Sequence, residues 1–115
     1  MHSIRVDRDP EATVVSASGE LDAFVSSDLT GAFAEAAHDA RIVADLTAVA
    51  FLDSTALGIV VRTVRDVEER GGAIRILLPE GTARRIFEIT TLDRVLPVAD
   101  SRTQALAELD GDQTG

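Results

Sequence analysis

Asp53-Ser54-Thr55-Ala56-Leu57-Gly58 joins two segments of opposite periodicity. Upstream, Ile42-Val43-Ala44 running into Asp45-Leu46 reads as a buried strand; downstream, Leu57, Val60, Val61, Val64 and Val67 recur at helical spacing until Gly71-Gly72. A buried strand feeding an amphipathic helix is the repeating unit of α/β folds. Ser54 and Thr55 then stand in the first helical turn. Unpaired backbone N–H groups and the positive end of the helix dipole make that turn receptive to an anionic group such as a phosphate.

On the N-terminal side, Ile4 to Asp7 is a strand candidate, separated by a turn at Asp9-Pro10 from the β-branched run Thr13-Val14-Val15-Ser16-Ala17-Ser18. The two are expected to pair antiparallel. A loop, Gly19-Glu20-Leu21-Asp22, leads to a helix from about Ser26 to His38 whose inward stripe is Val25, Leu29, Phe33 and Ala36/Ala37. A second loop runs from Thr47 to Asp53. Beyond the Ser54 helix come a strand at Ala73 to Leu78, a helix from Thr82 to Thr90, and a short edge strand at Val95-Leu96-Pro97-Val98. Ser101-Arg102-Thr103-Gln104 forms a capping-box pattern that opens a last helix ending near Leu109. The expected fold class is therefore α/β: a single domain over 1–115, with a mixed β-sheet of four to five strands and about four helices. Its ordered core spans about 4–109, followed by a polar, frayed tail at 110–115. Loops after the carboxyl ends of parallel strands gather on one sheet edge, so Asp22 and Ser54 are expected to emerge near each other.

Composition narrows the function classes. A chain of 115 residues with 45% hydrophobic content builds one core. No apolar run reaches eighteen residues and no signal-peptide pattern opens the chain, which implies a cytoplasmic protein with no membrane association. Cysteine is absent, and His2 and His38 read as solvent-exposed polar residues, so neither thiol chemistry nor a metal site nor a cofactor is expected. The net charge of −9 opposes docking on nucleic acid or anionic lipid and favours a protein partner. All eleven basic residues are arginine, a skew that base composition of the genome accounts for. Tryptophan and tyrosine are absent, and Phe24, Phe33, Phe51 and Phe87 are read as core residues. Ser54, His38 and an aspartate could nominally form a hydrolytic triad, but there is no G-x-S-x-G elbow and no phosphate-binding G-x-x-x-x-G-K-[ST] loop.

Gly19-Glu20-Leu21-Asp22, Asp45-Leu46-Thr47 and the Asp53–Gly58 box, at this separation, resemble the STAS domain of bacterial anti-sigma factor antagonists. The run Arg84-Arg85-Ile86-Phe87-Glu88-Ile89-Thr90-Thr91-Leu92-Asp93-Arg94-Val95-Leu96 is similar to that family's third-helix region. The resemblance covers about Ile4 to Leu109. It implies a transcription-regulating partner switch with no catalytic activity of its own. Ser54 would be phosphorylated by the anti-sigma factor, a serine kinase of the histidine-kinase-like ATPase type. Unphosphorylated antagonist binds that kinase and frees a sigma factor; phosphorylated antagonist lets go, and a phosphatase restores it. Asp22, Asp53 and Thr55 would be neighbours of the phosphorylation site. STAS domains also serve as soluble subunits of transporters or of larger stress-signalling complexes, which is the alternative reading. Ala56 and Thr91 depart from the family pattern, each standing where glycine is common.

Each of these residues also has a purely structural reading. Asp53 or Ser54 can cap the helix, Asp22 can cap a helix or shape a turn, Asp45 can satisfy backbone groups, and Glu20 can be a solvated charge. Projected at 100° per residue, the helix places Thr55, Ile59, Arg62 and Asp66 away from the apolar face. Gly58, Ile59 and Arg62 are the candidate partner-binding residues, with Ile59 read either as an apolar anchor or as an ordinary exposed apolar residue.

Overall fold

A computed structural model of the chain describes residues 2–78, 81–92 and 96–114. Five strands form one sheet: β1 (His2–Arg8), β2 (Thr13–Leu21), β3 (Arg41–Leu52), β4 (Ala73–Leu77) and β5 (Val98–Ala99), lying side by side in chain order. β1 pairs antiparallel with β2, and every later pair is parallel, as the alternation of strands and helices requires. The helices are α1 (Ser26–Ala36), α2 (Ser54–Glu69), α3 (Thr82–Ile89) and α4 (Arg102–Thr114), with a 3-10 turn at Ala23–Val25 ahead of α1.

Both faces of the sheet are covered, unequally. Leu29 and Phe33 of α1, Val60, Val64 and Val67 of α2 and Phe87 of α3 share one apolar cluster with Val15, Ala17, Ile42, Ala44 and Ile74 of the strands. Ala105 and Leu109 of α4 close a smaller one on Val14, Val43 and Leu77. Adjacent residues of β2, Val14 and Val15, thus go to opposite layers, which is why this strand reads as a continuous apolar run.

Helix ends follow the local chemistry. α2 stops at a Schellman turn: Gly71 has φ +82°, its N–H donates to the Glu68 carbonyl at 3.1 Å, and the Gly72 N–H donates to the Val67 carbonyl at 3.0 Å. The box at Ser101 caps α4, with the Gln104 N–H on Ser101 Oγ at 3.1 Å and the Gln104 Oε1 accepting from the Asp100 N–H at 3.1 Å.

Several expectations need correction. The segments taken as loops, 19–21 and 47–52, are strand. β2 and β3 continue together, with register shifts that absorb the irregular sequence between Ser16 and Ser18 and between Gly19 and Glu20, where Gly19 adopts φ +83°. The first helix ends at Ala36 and leaves His38 in a turn. The edge strand is Val98–Ala99, because Pro97 has no N–H to pair; its carbonyl accepts from Ile76 at 2.8 Å instead. Val95 lies outside the described residues, as do Asp93 and Arg94 of the family-like run. The last helix runs past Leu109 to Thr114, within the span expected to fray; Gly115 lies outside the described residues. Phe33 and Phe87 are core, whereas Phe24 and Phe51 are exposed.

Candidate functional site

The longer strands bring the two turns, at Asp22 and Asp53, into register. Leu21 pairs with Leu52 at the carboxyl ends of β2 and β3, both side chains fully buried, and the Asp53 N–H donates to the Leu21 carbonyl at 3.0 Å. Asp22 and Asp53 therefore leave adjacent strands at the same level. Ser54 follows directly, on the sheet edge where sites form in open α/β folds.

Asp53 and Asp22 both cap. The Asp53 carboxylate accepts from the Ala56 N–H at 2.9 Å, and the Asp53 carbonyl accepts the first helical bond from Leu57 at 2.9 Å. Asp22 accepts from the Phe24 N–H at 2.9 Å at the head of the 3-10 turn. Because Asp53 occupies the cap, Ser54 is the first residue of α2. The hydroxyls of Ser54 and Thr55 are exposed, and neither has a hydrogen-bond partner among the described residues. Ala56 is buried completely, so its methyl fills core space inside a regular helix.

The outer face of α2 differs from its projection. Gly58 and Arg62 are exposed, and a methyl built on Gly58 meets nothing within 4 Å. Ile59 is half-buried and packs against the main cluster; it lines a groove between α1 and α2 with Thr30, Phe33, Arg62 and Asp66. The reason is that α1 leans on α2 and covers a flank that a helical wheel treats as open. Leu57 and Val61, placed on the inward face, are half-buried.

Asp45 serves its own strand, accepting from the Thr47 N–H at 3.0 Å and from the Thr47 hydroxyl. Glu20 is exposed. His2 is within 3.3 Å of Asp28, while His38 precedes the amino end of β3 and Ser54 follows its carboxyl end. The twelve residues of β3 separate them, and because Ile42–Leu52 lies alongside only the nine residues Thr13–Leu21 of β2, the span is roughly 25–30 Å at ~3.3 Å per β2 residue. A Ser54–His38 dyad is excluded by that distance. Among the described residues, no helix is long and apolar enough to cross a membrane.

Sequence reasoning missed Phe24 and Phe51. Phe24 is 93% exposed and Phe51 45%. Local alternation gave no signal: Val49 and Leu52, three residues apart, are both core with Ala50 and Phe51 exposed between them, so a period-2 reading from Val49 points Phe51 inward.

Comparison with known proteins bears on the family and the fold. The STAS domain family model matches residues 3–105. An anti-sigma F factor antagonist from Paenibacillus polymyxa is 27% identical over 100 residues, covering 84% of this chain and 86% of the relative. The TM1081 homologue from Thermotoga neapolitana is 32% identical over 71 residues; that match covers 62% of this chain and 63% of the relative, less than two thirds of its length. The crystal structure of an anti-sigma factor antagonist from Mycobacterium paratuberculosis superposes with a TM-score of 0.86 at 28% identity, covering 96% of this chain and 95% of that one.

Proposed function

The chain belongs to the STAS domain family, and from that premise we propose that it is a cytoplasmic anti-sigma factor antagonist switched by phosphorylation of Ser54. Unphosphorylated, it binds an anti-sigma factor and releases a sigma factor. The anti-sigma factor is a serine kinase of the histidine-kinase-like ATPase type. Phosphorylation ends the complex and a phosphatase resets it. The chain performs no catalysis itself.

The observation that carries this reading is the division of labour at the head of α2. Asp53 satisfies the helix end, which leaves the Ser54 hydroxyl exposed and unpartnered. A serine committed to capping would have to leave its cap to reach a kinase; this one does not. The first turn of α2 can also receive a phosphate without unfolding, since the dipole and the free N–H groups favour an anion there.

Disruption of the complex then has a physical source outside the domain. A phosphoserine carries roughly −1.5 to −2 charges at neutral pH, beside Asp53 and near Asp22. Buried in an interface without a cationic partner it is desolvated and faces two carboxylates. Such unpaired charge costs several kcal/mol, where about 1.4 kcal/mol is tenfold in affinity.

The test is to purify the histidine-kinase-like ATPases of the source genome, incubate each with the chain and Mg-ATP, and map the product by phosphopeptide mass spectrometry. Modification at Ser54, lost in Ser54→Ala, is the expected result. Modification chiefly at Thr55, or labelling undiminished in Ser54→Ala, overturns the assignment.

A further inference from the structure

Among the described residues, the exposed large apolar side chains are Phe24, Phe51 and Ile89, and two of the three lie at the edge that carries Ser54. Phe51 precedes Ser54 by three residues. Phe24 sits in the 3-10 turn whose head is Asp22, and Asp22 follows the residue that accepts the Asp53 N–H. Both phenyls are held by ordered backbone. The Phe24 N–H is bonded to Asp22 at 2.9 Å, and Phe51 pairs with Glu20 in the parallel β2–β3 register.

A lone exposed apolar residue is ordinary on a protein surface, but two exposed phenylalanines at one sheet edge, one of them 93% exposed, are suited to be covered by a partner. The charge around them indicates the partner's chemistry. Residues 19–28 and 46–61, which build this edge, contain Glu20, Asp22, Asp28 and Asp53 and no arginine or lysine; the next basic residue along α2 is Arg62, about two turns beyond Ser54.

We infer that Phe24 and Phe51 are the anchors by which this chain docks on its anti-sigma partner, entering an apolar pocket rimmed by lysine or arginine. This rests on the function proposed above and gives its interface a centre and a rim. The phenyls supply affinity from the desolvated centre. Glu20 and Asp28, the two exposed carboxylates, lie solvated at the rim, where they steer the encounter and add little to the bound state, while the half-buried Asp22 and Asp53 stay beside Ser54 at the centre. Ser54 lies among the anchors, so its phosphate is introduced where water is excluded, away from the basic rim that could pair with it.

The test uses the full chain and the ATPase that phosphorylates Ser54, with binding followed by calorimetry and by association kinetics. Phe24→Ala should raise Kd by roughly ten- to a hundredfold, largely through faster dissociation, with an unchanged melting temperature because the ring is exposed. Phe51→Thr puts a residue of good strand propensity in place of the ring and should also weaken binding at least about tenfold. Raising salt should slow association while leaving dissociation nearly constant. If wild type binds and both variants bind equally well, the anchors are refuted and the functional reading stands. Association that quickens with salt refutes the basic rim. Concentration-dependent dimerisation of wild type that Phe24→Ala abolishes assigns the patch to a second copy and overturns the proposal. If wild type binds none of the ATPases, the functional reading fails and the anchors fail with it.

Discussion

Two aspartates do the same local work on neighbouring strands, and their equivalence explains why a serine and not an aspartate is left at the focus of the site. Asp53 and Asp22 each accept one backbone N–H at 2.9 Å. What distinguishes Asp22 is its position beside the Ser54 turn with nothing further to hold among the described residues. Its second oxygen is available to orient an incoming hydroxyl or a kinase group. Asp22→Asn should therefore slow phosphorylation of Ser54 at least several-fold while leaving the melting curve unchanged, because asparagine caps as well as aspartate. Unchanged melting together with an unchanged rate reduces Asp22 to a structural residue. Asp53→Ala is the contrast: it removes the α2 cap and should cost about 1 kcal/mol of stability. At this scale the sequence was informative about Asp22, Asp53 and Ser54, because capping and turn chemistry act over a few residues. It could not tell which of Asp53 and Ser54 holds the cap, a matter of where the strand ends. It misassigned Phe24 and Phe51, since composition marks phenylalanine as core and only register reveals which way a strand residue points.

At the scale of elements, existence and order were legible and extents were not. Thr13 to Ser18 and Ile42 to Leu46 carry their own β-branched or apolar signal. The continuations to Leu21 and Leu52 exist because each strand supplies the other's hydrogen bonds, a tertiary cause invisible to local pattern. The same holds for Ile59, whose exposure depends on α1. Thr91 is the clearest case of a local departure with a conformational reason. It has φ +58°, the one non-glycine residue at positive φ among those described, directly after α3. A β-branched residue in the left-handed region is strained by roughly 1–2 kcal/mol, a cost that glycine would not carry. Thr91→Gly should relieve that strain and return part of it to unfolded-chain entropy, for a net gain of about 0.5–1 kcal/mol. A thermal melt should show a rise of roughly 2–5 °C; a fall shows that the Thr91 contacts outweigh the strain.

Gly58 poses the opposite question within α2. It sits in mid-helix with open space where a methyl would go. Gly58→Ala should therefore stabilise the domain by about 0.5–1 kcal/mol. A glycine retained at that cost suits close approach of a partner backbone. The same variant should bind the anti-sigma kinase several-fold more weakly despite its higher melting temperature. Stabilisation with no loss of affinity removes Gly58 from the interface and leaves Arg62 as the exposed partner-binding candidate on that face.

For the molecule as a whole, the decisive property is that Ser54, the proposed switch residue, stands directly above packed core residues, so a change of charge there need not change the fold. Leu21, Leu52 and Ala56, the residues immediately under the site, are each at most 2% exposed. No loop of the described structure must move for Ser54 to be reached. The domain is expected to behave as one body whose surface charge is edited, with an overall net charge of −9 keeping copies apart in either state. Ser54→Asp tests this separation of fold from affinity. A carboxylate brings about one charge against the roughly −1.5 to −2 of phosphate, and it is shorter, so the mimic should weaken binding to the anti-sigma kinase less than true phosphorylation does. Ser54→Ala should bind at wild-type strength and resist release by Mg-ATP. All three forms should melt within a few degrees of wild type, since an anion at a helix N-terminus is worth only about 0.3–1 kcal/mol in the folded domain. Calorimetric titration of wild type, Ser54→Ala, Ser54→Asp and enzymatically phosphorylated protein, with melts of each, measures both quantities. Equal affinity across the series refutes the electrostatic switch, and a large fall in melting temperature on phosphorylation relocates its action from the interface to the stability of α2.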